Sequence, residues 1–84
     1  MQAIAAAPLL RSALLDLEQW KTAVTQRMRD YAAAELLLRA MPGDPGAATA
    51  FAARGERLMD AINERQRRET AIRALRHLLE VAAR

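Results

Sequence analysis

Met41-Pro42-Gly43-Asp44-Pro45-Gly46 interrupts a sequence that otherwise reads as helix in both directions. Two prolines and two glycines within residues 42–46 cannot continue a helix. Pro42 also pushes Met41 out of the α region. Alanine makes up about a quarter of the 84 residues, and leucine, arginine and glutamate supply most of the rest. That is the vocabulary of long helices. The β-branched residues are few, and none forms an alternating run of the kind a strand needs. The sequence therefore predicts an all-α chain of two long antiparallel helices joined by a Pro/Gly turn. This helical hairpin forms a single domain over residues 1–84, with a helix at about 9–40, a turn at 41–46 and a helix at about 47–83.

Working outward from the turn, apolar residues recur mostly three and four apart. In the first helix the stripe is Leu10, Leu14, Leu17, Val24, Met28, Tyr31 and Leu38, with Lys21 and Glu35 in its gaps. In the second helix it is Phe51, Leu58, Ile62, Ile72, Leu75 and Leu79. This is a heptad-like seam. Between Ile62 and Ala71 it is broken by a polar stretch, and Asn63, Arg65, Gln66, Arg67 and Arg68 form a candidate polar surface there. Asp44 is placed to cap the second helix, with Pro45 at its first position. Gly55 lies inside that helix, where a close approach of another backbone is expected.

The composition excludes several function classes. There is no cysteine, so neither a disulfide nor a thiolate metal site is possible. His77 is the one imidazole, and no nucleophile sits beside a base and an orienting group. No glycine loop has the spacing that cradles phosphate. The expectation is a non-enzyme with no cofactor and no metal. The formal charge of +3 comes from thirteen bases, all but Lys21 arginine, against ten acids. The run Arg65-Gln66-Arg67-Arg68 is flanked by Glu64 and Glu69, and Glu64 can pair with Arg68 four residues on, so nucleic acid is not the expected partner. No apolar run reaches transmembrane length, and direct membrane insertion is not expected. The N-terminal MQAIAAAPLLRSALL lacks a basic start and is interrupted by Arg11, so a cleaved secretory leader is not expected.

Two helices of this length share only one seam, and apolar residues such as Leu9, Leu15, Leu36, Met59 and Leu78 lie beyond it. The chain is expected to work by packing against other protein chains. The turn Pro42-Gly43-Asp44-Pro45 resembles the Pro-x-(Asp/Asn)-Pro turn of the needle subunits of bacterial type III secretion systems, which are small helical hairpins. The resemblance extends to Phe51, nine positions after the first proline, to Asn63, to Arg73 and Leu75, and to Leu78-Leu79 with Arg84. It covers residues 42–84, and residues 9–41 in architecture. It departs after the turn, where Gly46, Ala47 and Ala48 replace an aliphatic pair.

The resemblance implies a homo-oligomer that polymerises into a hollow filament for protein export. It places the chain outside the cell, at the cell surface, through the type III apparatus. Leu17, Val24, Met28, Tyr31, Leu38, Phe51, Leu58, Ile62, Ile72, Leu75 and Leu79 would pack within and between subunits, and the polar stretch would face the lumen. The alternatives are a small helical co-chaperone of such a subunit, which would stay in the cytoplasm, and a generic coiled-coil adaptor.

Overall fold

The computed structural model describes the backbone of residues 3–84 and the side chains of residues 7–84. Met1 and Gln2, the start of the apolar N-terminal segment, lie outside the described residues. Two α-helices, α1 (Ala3–Ala40) and α2 (Pro45–Ala83), run antiparallel as a hairpin. The Cα trace measures 62 × 14 × 13 Å. That length follows from about 1.5 Å of rise per residue over helices of 38 and 39 residues.

Both helices exceed the expected limits. α1 starts earlier and runs through Pro8, near enough to its beginning that the missing N–H costs one bond without ending the helix. α2 begins at Pro45, so Pro45 and Gly46 belong to its first turn and the connection is only residues 41–44. The reversal is built from a few specific bonds. The Met41 N–H donates to the Leu37 carbonyl at 2.9 Å, closing α1. The Asp44 N–H donates to the Met41 carbonyl at 3.1 Å, with Pro42 and Gly43 between them. Asp44 then leaves the helical region (φ −84°, ψ 116°), and its carboxylate accepts from the Ala47 N–H at 3.2 Å. Among the described residues none has positive φ. The turn thus depends on proline and on the aspartate cap, and Gly43 contributes no left-handed backbone.

The seam alternates steps of three and four with few breaks. On α1 it is Leu10, Ala13, Leu17, Trp20, Val24, Arg27, Tyr31, Ala34 and Leu38, all buried or half-buried. On α2 it is Ala47, Phe51, Leu58, Ala61, Arg65, Arg68, Ile72, Leu75 and Leu79, with Gly55 in the step after Phe51. The buried hydrophobic residues are Leu17, Val24, Ala34, Ala47, Ala61 and Ile72. Half of these are alanines, and alanine in a seam lets helix axes approach closely. Near the turn, Tyr31 stacks on Phe51 with ring centroids 4.8 Å apart and planes 27° apart. One helical turn further on, Gly55 makes room for the same tyrosine: a Cβ there would lie 3.3 Å from Tyr31 Cε2.

One expectation about the seam needs correction. Met28 is 56% exposed, and Arg27 takes the inward position beside it. An apolar residue one place from an arginine drew the stripe off the helical period, whereas the three-four rhythm from Val24 to Tyr31 passes through Arg27 and the arginine stem can line the seam. Ile62 is half-buried on the edge of the seam, and Ala61 occupies its centre at 2% exposure.

The two glycines outside the first turn of α2 should differ in how much of the usual gain from alanine they return. Gly43→Ala meets open space at non-positive φ and should stabilise by about 0.5 kcal/mol through the unfolded chain. Gly55→Ala should fall short of the ~1 kcal/mol that a helix interior normally returns, because the new methyl must displace Tyr31. Thermal melts of the two variants, with Asp44→Ala as a cap-deletion control expected to lose about 1 kcal/mol, check this ranking.

Candidate assembly surfaces

The polar stretch of α2 divides into two faces when it folds. Asn63, Gln66 and Arg67 are exposed, and with Thr70 they line a shallow polar groove on the outside of α2. Arg65 and Arg68 turn inward and are half-buried against α1. The expected polar surface therefore loses two of its five residues to the seam. The reason is periodic: Arg65 and Arg68 continue the rhythm from Leu58 and Ala61 to Ile72, and that rhythm overrides their polarity.

Arg68 is the best-tied side chain across the hairpin. Its Nε donates to Asp16 Oδ2 on α1 at 2.5 Å. Its Nη1 donates to the Glu64 carboxylate and, at 3.3 Å, to the Glu64 carbonyl. The guanidinium lies over the Trp20 ring, 4.7 Å from its centre. Arginine suits this place because its rigid fork serves two carboxylates while its flat face rests on an indole. The hydrogen bond to Asp16, and next the one to Glu64, hold its pKa above the ordinary arginine value against a smaller opposing effect of desolvation. Arg65 is less well served. Its Nε is shut off from solvent with no hydrogen-bond acceptor, and the Glu69 carboxylate lies 3.6 Å away.

The remaining ion pairs are local supports on the outside of single helices: Glu18 with Lys21, Glu35 with Arg39, and Glu64 with Arg67. Asp16 to Arg68 is the one ion pair that joins α1 to α2 among the described residues. Arg68 and Trp20 were each visible in the sequence as residues. Their meeting depended on the antiparallel register, which no local pattern in α1 reports.

The outside of the hairpin carries the apolar surface that the seam cannot hold. Leu9 and Leu15 are exposed near one end, and Leu36, Leu37 and Met41 near the turn. Met59, Leu78 and Val81 are each more than half exposed along α2. Beside Gly55 an open, mainly apolar groove of about 650 Å³ is lined by Tyr31, Gly55, Glu56, Leu58, Met59 and Asp60. Gly55 forms part of its wall, with the Tyr31 ring packed close against it. Among the described residues, no group of three acidic or histidine side chains converges as a metal site would require. No helix among them is long and apolar enough to cross a membrane.

Comparison of the chain with known protein families, with characterised proteins and with solved structures finds no match. The resemblance to needle subunits thus rests on the residues around and after the turn.

The Arg68 tie should behave as one unit. Asp16→Asn and Arg68→Met should each lower the melting temperature, and the double variant should be little worse than either alone. Arg68→Lys should not rescue it, since a point charge cannot span Asp16 and Glu64. A folded-state pKa raised above the unfolded value contributes stability that is complete below the unfolded value and lost as pH rises through the folded one. The Arg68 side of the tie should therefore be constant through neutral pH and fade only in strong alkali. The Tm difference between wild type and Arg68→Met, followed against pH and against salt, measures both properties.

Proposed function

We propose that this chain is a structural, non-catalytic subunit that works by self-association, similar in kind to a type III secretion needle subunit, building a hollow filament for protein export. The observation that carries this reading is the imbalance between a thin seam and a wide apolar exterior. Large exposed side chains at both ends and along α2 outnumber the large side chains buried between the helices. A lone pair of helices of this size is marginal without partners, and apolar surface of this extent is normally covered in a working assembly.

In this reading the hairpin supplies rigidity and the outer leucines and methionines supply the contacts. Heterologous contacts that do not close by rotation extend into a filament. The exposed polar strip Asn63, Gln66, Arg67 and Thr70 is the remaining candidate for a solvated inner wall. Such a wall offers passing chains few apolar contacts. The subunit then acts at the cell surface, after leaving through its own apparatus.

A second reading, a cytoplasmic co-chaperone that holds a helical client, is favoured by the open apolar groove beside Gly55. A helix laid in a groove is a standard mode of recognition.

Sedimentation of the purified chain over a concentration series, with electron microscopy of the pellet, separates these readings. Uniform thin filaments that lengthen with concentration are the expected result. A discrete monomer or dimer that never elongates overturns the filament reading and leaves the co-chaperone. Ile72→Asp places an unpaired charge at a seam position that is only 4% exposed. It should abolish assembly by unfolding the hairpin, with a loss of several kcal/mol. Circular dichroism of the same sample should show the loss of helix.

A further inference from the structure

From the two prolines of the turn and the count of seam positions on either side of it, we infer that the chain carries a two-part lock against helix exchange. The lock keeps each copy a closed hairpin and prevents α1 of one copy from pairing with α2 of another. This goes beyond the proposed function and applies whether or not copies assemble.

The closed hairpin has a direct competitor. Two unbroken helices lying antiparallel could keep every contact of the seam, Tyr31 on Phe51 and Arg68 on Asp16 included, with the partners drawn from different copies. Exchange of identical elements in this way is a low-cost route to dimers. The gap to be bridged is short. Helical hydrogen bonds run up to the Met41 N–H on the Leu37 carbonyl and resume with the Ala48 N–H on the Asp44 carbonyl. Among the described residues none has positive φ, so neither Gly43 nor Gly46 enforces the reversal.

Pro42 and Pro45 are the first part of the lock. In an unbroken helix they would leave the carbonyls of Leu38 and Met41 without donors, and their rings would clash with those carbonyls. In the hairpin neither proline costs a helical bond. Pro42 lies in the turn, and Pro45 lies at the start of α2, where the missing N–H has no partner to lose.

The second part is a slip of one residue in the seam. In α1, Leu10, Leu17, Val24, Tyr31 and Leu38 recur every seventh residue and are buried or half-buried. Continued across the turn, that count arrives at Pro45, Ala52, Met59, Gln66 and Arg73, all of them exposed. The residues of α2 that face α1 come one place earlier, at Phe51, Leu58, Arg65, Ile72 and Leu79. One residue is about 100° around a helix. An unbroken helix would thus present its two stripes on different sides, and one straight partner could cover only one of them. The hairpin is indifferent to the slip, because its turn lets each helix take its own rotation.

The chain has no native cysteine, and the exposed Asp30 and Arg54 line one groove from different helices. Copies carrying both Asp30→Cys and Arg54→Cys are unfolded, refolded at high concentration and treated with a short bis-maleimide. Closed hairpins link within a chain, and exchanged helices link between chains. With the native turn, links within a chain should exceed links between chains at least tenfold. Pro42→Ala with Pro45→Ala should keep that excess, and so should one alanine inserted between Gly43 and Asp44, which brings both stripes onto one count. The two changes together should reverse the ratio with helix content unchanged by circular dichroism. Links mainly between chains in the native turn, or in either change alone, overturn the inference. A combined variant that stays closed, or that loses helix instead of exchanging, overturns it as well. The ratio is read in the same way in monomers and in filaments. Failure here therefore leaves the proposed function standing, and a chain that forms no filament leaves the lock standing.

Discussion

Two helices lying side by side have one line of contact, and that single line governs the rest of this molecule. Each helix offers about a third of its circumference to the other. Everything apolar that does not fall on the three-four rhythm must face outward, whatever its chemistry. The same geometry works in reverse on polar residues: Arg27, Arg65 and Arg68 are drawn inward because the rhythm reaches them, not because the seam suits them. Exposed Met28 beside half-buried Arg27 is the clearest example of position prevailing over polarity.

The arginines in the seam carry information that an all-apolar seam would lack. A hydrophobic stripe accepts another stripe at many offsets and in either direction. The fork of Arg68, by contrast, finds Asp16, Glu64 and Trp20 together in one register only. Polar groups inside coiled-coil seams commonly set register at a cost in stability. The stack of Tyr31 on Phe51 and the notch at Gly55 act similarly near the turn, through shape instead of charge.

The hairpin was legible from the sequence because its signals are local. Proline spacing, a capping aspartate and alanine-rich helices need no knowledge of distant residues. The heptad was legible in outline, but apolarity alone misplaced it at Met28 and passed over Arg27 and Ala61, since long arginine stems and small alanines fill seams as well as leucine does. The sites on the surface were the least legible. The groove is lined by residues of α2 together with Tyr31, a ring from the other helix. The division of residues 63–70 into an inner and an outer face needed the phase of the whole helix, which is fixed by Ala61 and Ile72 outside that stretch.

The position of the Arg68 tie has a consequence for the order in which the hairpin forms. Tyr31 and Phe51 are separated by only twenty positions, and closing the loop between them carries a modest entropic cost. Asp16 and Arg68 are fifty-two positions apart, and they meet cheaply only after the turn-proximal stack has brought the helices alongside. Loop-closure cost by itself therefore favours zipping from the turn toward the ends, with opening in the reverse direction. On that order the residues beyond the tie, Leu78 and Val81 among them, separate first under load, while the turn half keeps its shape and serves as a nucleus for reclosure.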